Sequence, residues 1–293
     1  MMNFDAFEER ICGDFQERYP EMAFRSETVK KVQDGSYHGL SVVKEGSAVG
    51  VILDLDAAFR YYLAGDSYEE VLRGTMERLE NALRSVPFDV ERAKDLSDYG
   101  KTKSLLWPQV VEYARNAEVL EGVPKRRIGD LALVVRIVLD NSASALVKEP
   151  MLENWHVTED QMFEEAILNA GTPVIRNMAE VLGELTGSEM QDVGIWVASN
   201  TENRYGASVI AVPGFFEQAA GVLGKNFYLL PSSIHEVLLV PEDGADSETL
   251  LNMVKSINET EVSEDERLSD NVYHYDICEK VFETASEYER RTA

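Results

Sequence analysis

The chain has 293 residues, 44% of them apolar and 28% charged, which is enough to fill sizeable cores and near the usual globular balance. Its 53 acidic against 28 basic residues give a net charge of −25, which repels phosphate backbones and anionic lipid and argues against direct nucleic-acid or membrane binding. Two cysteines exclude a disulfide framework.

The opening, MMNFDAFEERICGDF, carries acids where a signal peptide has a basic end and an apolar centre, so a cytoplasmic location is expected. Phe4, Phe7, Ile11 and Phe15 recur at spacings of three and four, which predicts a helix over 3–19 that Pro20 ends. From Phe24 the pattern changes to alternation in FRSETVKKVQ, YHGLSVVKEG and AVGVILDL, with turn signals at Asp34-Gly35 and Glu45-Gly46. These predict a three-stranded antiparallel meander on the first helix. DLDAAFRYYLAG reads as a short helix closed by Gly65. DSYEEVLRGTMERLENAL reads as a longer one, with Asp66 or Ser67 as cap, Glu69 or Glu70 reaching back, and Pro87 as its stop.

Between Phe88 and Pro124 the signals weaken and helical pieces are expected. LALVVRIVL, Leu131 to Leu139, reads as a buried strand; Arg136 interrupts it, and it falls short of the roughly 20 residues of a membrane helix. A turn at Asp140-Asn141 and the strand SASALVK follow. Then come a helix over EPMLENW, another over TEDQMFEEAILNAG with Thr158 as cap and Gly171 as stop, and a helical reading of IRNMAEVLGELTG. The remainder reads as strands GIWVAS, ASVIAV, NFYLL, EVLLVP and NVYHYD, and helices GFFEQAAGVLG, DSETLLNMVKSINET and ICEKVFETASEYERR. The expected class is α+β, in two lobes of mainly antiparallel sheet with helices on one side, residues 1–147 and 148–293.

The stretches VILDLDAAFRYYLAGDSYEEVL, NAEVLEGVPKRRIGDLALVVRIVL, MLENWHVTEDQMFEEA, FYLLPSSIHEVLLVP and LSDNVYHYD stand in the order found in an uncharacterised bacterial domain-of-unknown-function family (family 5688), typical of anaerobic gram-positive gut bacteria. The chain resembles that family over roughly residues 35 to 276. The resemblance implies a shared fold and carries no activity, ligand or catalytic residue with it. AVGVILDLD departs from the family's usual P-x-I-Y-L form without spoiling the strand.

Three clusters are candidate sites. In FYLLPSSIHEVLLVP, Ser232, Ser233, His235 and Glu236 sit between two apolar strands. Ser233 and His235 are about 6.6 Å apart in an extended chain, so a nucleophile–base pair needs a bend. The strand-turn-helix elbow of a serine hydrolase is missing, and Leu239 stands where a metalloprotease helix would carry its second histidine. A corner held by side-chain bonds is the simpler reading. His274, Asp276 and Cys278 alternate along HYDIC and are weak candidates for a metal, while Asp276 with Glu279 also fits a capping box for the last helix. Lys125, Arg126 and Arg127 form the one dense basic patch, a surface loop on the plain reading; in use it would bind an anion or receive the acidic half of a second copy in a homo-oligomer. No glycine-rich phosphate motif occurs, so no cofactor is expected, and Trp107, Trp155 and Trp196 read as core packing.

Residues 1–144 carry net −6 and residues 145–293 net −19, from 9 basic and 28 acidic residues. The leading expectation is therefore a cytoplasmic binding protein whose acidic C-terminal lobe engages a basic protein partner. The alternative is a hydrolase around Ser233, His235 and Glu236, and a third reading is a DNA-mimic inhibitor from a mobile element.

Overall fold

The computed structural model describes residues 2–30, 32, 35–44, 50–85, 95–139, 144–231, 233–244 and 246–293. They form two compact units, Met1–Lys101 and Thr102–Ala293. The break therefore precedes the sheet that contains Leu131–Val138, and the sequence-expected boundary at 147/148 falls inside the second unit.

The first unit is the expected meander with helices. Strands β1 (Met22–Lys30), β2 (Ser36–Lys44) and β3 (Gly50–Asp54) pair antiparallel in that order. Helix α1 (Phe4–Arg18), capped by Asn3, buries Phe7, Ile11 and Phe15 against Leu40, Val42 and Leu53 of the sheet. Helix α2 (Leu55–Ala64) is capped by Asp54. Helix α3 (Tyr68–Ser85) starts at Ser67, whose hydroxyl accepts from Glu70 N while Glu70 Oε2 accepts from Ser67 N. The turn residues Asp34, Glu45 and Gly46, and Pro87, lie outside the described residues.

The second unit holds two antiparallel sheets. In one, β4 (Leu106–Glu112), β6 (Leu131–Val138) and β5 (Arg126–Ile128) run in that order, and β7 (Ser144–Leu146) also pairs with β6. Leu131 to Val135 are buried without a break, as the apolar run requires. Helix α4 (Glu149–Trp155) leads into α5 (Glu159–Asn169), where Thr158 and Gln161 form the capping box and Met162, Phe163 and Ala166 are buried. The other sheet has six strands in the order β13-β12-β10-β11-β9-β8, every neighbouring pair antiparallel. Their ranges are β8 (Pro173–Asn177), β9 (Trp196–Asn200), β10 (Phe227–Leu230), β11 (Val237–Pro241), β12 (Tyr273–Asp276) and β13 (Val281–Thr284). Helices α6 (Met178–Thr186), α7 (Phe215–Leu223), α8 (Ser247–Thr260) and α9 (Ala285–Thr292) complete the unit. Leu250 and Val254 of α8 and Ala285 of α9 pack on Tyr228, Leu230, Val240 and Val272.

Five stretches differ from the sequence reading. Leu106–Glu112 and Arg126–Ile128 are strands where helical pieces and a loop were expected, and Pro173–Asn177 is a strand ahead of its helix. Gly206–Ala211 is a 3₁₀ helix, not a strand. The final helix begins at Ala285 with Thr284 and Glu287 as its capping box, so Ile277–Lys280 is a hairpin turn and Val281–Thr284 a strand. Among the described residues no helix is long and apolar enough to cross a membrane.

Candidate functional site

The segment between β10 and β11 is a corner built from side-chain bonds. Ser233 is 6% exposed, and its hydroxyl donates to Glu236 Oε1 at 2.6 Å and accepts from His235 N at 3.1 Å. Ile234 N donates to Glu266 O and Ala207 N to Ile234 O, while the Ser199 hydroxyl donates to His235 O. Gly206 is required here, because a Cβ on it would lie 2.1 Å from the His235 carbonyl oxygen. The His235 ring is exposed and its Nε2 pairs with Glu266 Oε1 at 3.0 Å. The Ser233 hydroxyl thus meets the backbone amide of His235 and not its ring: the serine proton points at Glu236 and the imidazole at Glu266. A hydrolytic triad needs the base on the serine oxygen, and that hydrogen bond is not made. Ser232 lies outside the described residues.

This wiring predicts opposite costs for two neighbours. Ser233→Ala leaves Glu236 and an amide without their partner in a closed corner and should cost about 1–2 kcal/mol in urea unfolding. His235→Ala removes an exposed pair and should stay within about 0.5 kcal/mol.

The alternating residues of HYDIC do not converge. His274 is fully buried, with its ring stacked on Tyr288 at a centroid distance of 3.5 Å and edge-on to Tyr228. Asp276 accepts from Cys278 N and Glu279 N and pairs with Arg291 at 3.3 Å; those amide bonds hold its carboxyl below the usual range. Cys278 is exposed. Among the described residues no group of three or more His, Cys, Asp or Glu is placed to hold a metal ion.

The basic patch is already engaged as well. Lys125 Nζ donates to the carbonyls of Leu120 and Val123. Arg126 pairs with Asp160 at 2.6 Å over the Phe163 ring, and Arg127 donates to Gly129 O over Tyr113. RRI is a strand through its antiparallel pairing with Leu131–Leu133 of β6.

Two arrangements were not apparent from the sequence. The first is a polar knot at Asp130, whose carboxylate accepts from Ser269 Oγ at 2.6 Å, Asn271 Nδ2 at 2.9 Å and the Tyr273 hydroxyl. It ties the β5–β6 turn to the segment entering β12. The second is a groove of about 970 Å³ beside α6. Asn177, at the end of β8, accepts from Ala179 N to start α6 and donates to Asp192 Oδ1, which folds residues 188–192 back along the helix. Ala179, Gly183 and Gly187 give this face of α6 little side-chain bulk. Glu180, Glu184, Glu189 and Asp192 line it together with Met190 and Trp196. The Arg176 guanidinium on Glu184, and Asn177 and the Gly194 amide on Asp192, hold both carboxyls below their ordinary range, so both are charged at neutral pH. No residue of α6 is fully buried, and Leu182, Leu185, Met190 and Val193 are exposed.

These features define an α+β protein of antiparallel sheets with an acidic, grooved surface on its second unit. The chain belongs to a family of unknown function, DUF5688, whose model matches residues 4–277. No curated protein and no solved structure matches it. The family match ends just after β12, so β13 and α9 lie beyond it.

Proposed function

We propose that the protein acts by binding a basic protein partner through its acidic second unit. The first unit holds 20 acidic and 13 basic residues, net −7, and the second 33 and 15, net −18. The charge difference supports the reading in a specific way. Within the second unit 33 carboxylates face 15 Lys and Arg, so even complete one-to-one pairing leaves 18 with no basic side chain of that unit. Carboxylates in that excess repel one another and are relieved by an opposite surface. The hydrolase reading draws no comparable support, since Ser233 and His235 are each bonded elsewhere. A DNA-mimic inhibitor would use the same charge and differs in which basic protein it captures.

The test is a salt series on the partner complex. A complex recovered at about 50 mM salt should be lost near 1 M, where the screening length falls to about 3 Å. Retention at 1 M would remove the acidic surface as the dock.

A further inference from the structure

We infer that helix α9 is an acid-released latch: protonation of His274 beneath it undocks the helix while the sheet stays folded, and so bares His274 and Tyr228. The trigger is geometric. His274 has no exposed surface, and neither ring nitrogen has a hydrogen-bond partner among the described residues. The Tyr288 ring of α9 lies flat on it, 3.5 Å between centroids and 15° between planes. A neutral imidazole is tolerated in such a site at moderate cost, whereas an imidazolium brings a charge and two unmet donors into it.

The carboxylates around the ring are the ones that hold α9 down. Tyr228 on β10 and Glu283 on β13 are the cross-strand neighbours of His274, Asp276 lies two residues on along β12, and Glu242, just after β11, stands 3.7 Å from Nε2. Glu242 accepts from the Tyr288 hydroxyl, and Arg291 of α9 pairs with both Asp276 and Glu283. Asp246 at the start of α8 and Glu289 of α9 act on Tyr228, and Glu289 accepts from the Ser247 hydroxyl. A charged ring therefore finds an acceptor either by drawing Glu242, Asp276 or Glu283 away from α9 or by admitting water under the helix. Both routes undo the docking. The same carboxylates draw the histidine pKa up, but burial outweighs them and lowers it.

The latch itself is lightly fixed. Helix α9 has eight residues, fewer than an isolated helix needs, and it buries only Ala285 and part of Tyr288. Its capping box, Thr284 with Glu287, is internal, so the helix pivots at Ala285 without breaking the β12–β13 pairing. Elements with few buried apolar contacts open locally before the unit that carries them.

The test is hydrogen–deuterium exchange of the full chain, read by mass spectrometry at about pH 7 and about pH 5.5 and corrected for the intrinsic effect of pH on exchange; both conditions lie above the ordinary carboxylate range. A ring that has its ordinary pKa of 6.5 once uncovered, and stays neutral while covered, raises the open population of α9 by at most about eightfold over that span. We expect peptides covering α9 to lose protection by about threefold to eightfold while those covering β10 and β11 change by less than about twofold. His274→Phe, which keeps the stack on Tyr288, should abolish the pH effect on α9. Unchanged protection of α9 in the parent, equal losses in α9 and in β10 and β11, or an undiminished effect in His274→Phe would each overturn the inference. If that variant does not fold, the His274 ring is titrated by NMR in the parent alongside the exchange series. A ring midpoint that coincides with the loss of α9 protection supports the latch, and one displaced by more than about one pH unit overturns it.

Discussion

Asp130→Ala should lower the stability of the protein by about 3–5 kcal/mol, more than any exposed substitution named above. The side chain sits in the β5–β6 turn, yet it accepts hydrogen bonds from Ser269, Asn271 and Tyr273. Ser269 is 3% and Tyr273 1% exposed, so neither hydroxyl has water to turn to once the carboxylate is gone. Hydrogen bonds to a charged acceptor each contribute about 1.5–3 kcal/mol, and the orphaned donors add their own desolvation cost. The backbone around it is equally committed. Gly129 has φ +61°, and a Cβ there would lie 2.7 Å from the Tyr273 ring, so no other residue fits the turn unstrained. For a unit of this size the loss corresponds to a fall of roughly 6–20 °C in Tm, readable by calorimetry. Tyr273→Phe removes one donor to the carboxylate and the acceptor of the Asp130 amide, leaves the Ser269 and Asn271 bonds in place, and should cost about 1–2 kcal/mol. The double variant should then lose less than the sum, because the two groups share a bond. A change below about 1 kcal/mol in Asp130→Ala would show that the knot does not hold the two segments together.

The parts of this fold that were readable from sequence are those whose cause is local. Helices α1, α3 and α5 are each announced by apolar spacing, and α3 and α5 also by a cap, Asp66 or Ser67 and Thr158, of which the structure uses Ser67 and Thr158. The meander and the pair β10–β11 follow from alternation and turn chemistry in the same way. Where reading failed, a longer-range cause decided. Strand β4 contains Pro108, which speaks against a strand, but β4 pairs only with β6, and an edge strand tolerates a residue with no amide. The run ASVIAV is apolar apart from Ser208 and half β-branched, and such a short run cannot be told from a buried helical turn by periodicity. The close approach of Gly206 to Ser199 and His235, and Tyr205 at φ +46°, make it a 3₁₀ helix. At Asp276 the chemistry was read correctly and the element was not: the carboxylate does accept from Glu279 N, but in a hairpin turn whose far strand pairs back from Val281.

The sites divide along the same line. Ser233 as a turn residue is local and was legible. Glu266, 31 residues on, claims the His235 ring, and the donors to Asp130 lie about 140 residues away, so no spacing rule could supply them. The α6 groove is subtler. Its glycines and glutamates are plain in MAEVLGELTG, but periodicity says that a helix forms and not which of its faces the rest of the chain leaves uncovered.

Acidification from neutral pH should destabilise the protein through His274, and His274→Phe should remove that sensitivity. The imidazole is fully buried on β12, flanked across the sheet by Tyr228 and Glu283 and covered by Tyr288 of α9. Glu242 Oε2 is 3.7 Å from Nε2, beyond hydrogen-bonding reach, and neither ring nitrogen has a hydrogen-bond partner among the described residues. Glu242 instead accepts from the Tyr288 hydroxyl at 2.8 Å, a bond that pushes that phenol up to about 12. Burial dominates at the histidine and lowers its pKa from 6.5, outweighing the opposing pull of Glu242, Asp276 and Glu283, the last two of which are engaged by Arg291. The sign then follows from linkage. With the folded value below the unfolded one, the neutral ring's contribution is complete above about pH 6.5 and is lost as pH falls, since the unfolded chain takes up the proton first. The slope from this one group is at most about 1.4 kcal/mol per pH unit, and it ends at the folded pKa. Phenylalanine keeps the stack on Tyr288 and forfeits no hydrogen bond, so His274→Phe should match or exceed the parent at pH 7 and, over the span from pH 6.5 to 5.5, should lack this component of the slope. Urea unfolding of both proteins across that span decides it. An unchanged slope in the variant, or a loss at pH 7 above about 1 kcal/mol, would mean that the ring has a bonded partner and that α9 is not resting on a neutral, unsatisfied imidazole.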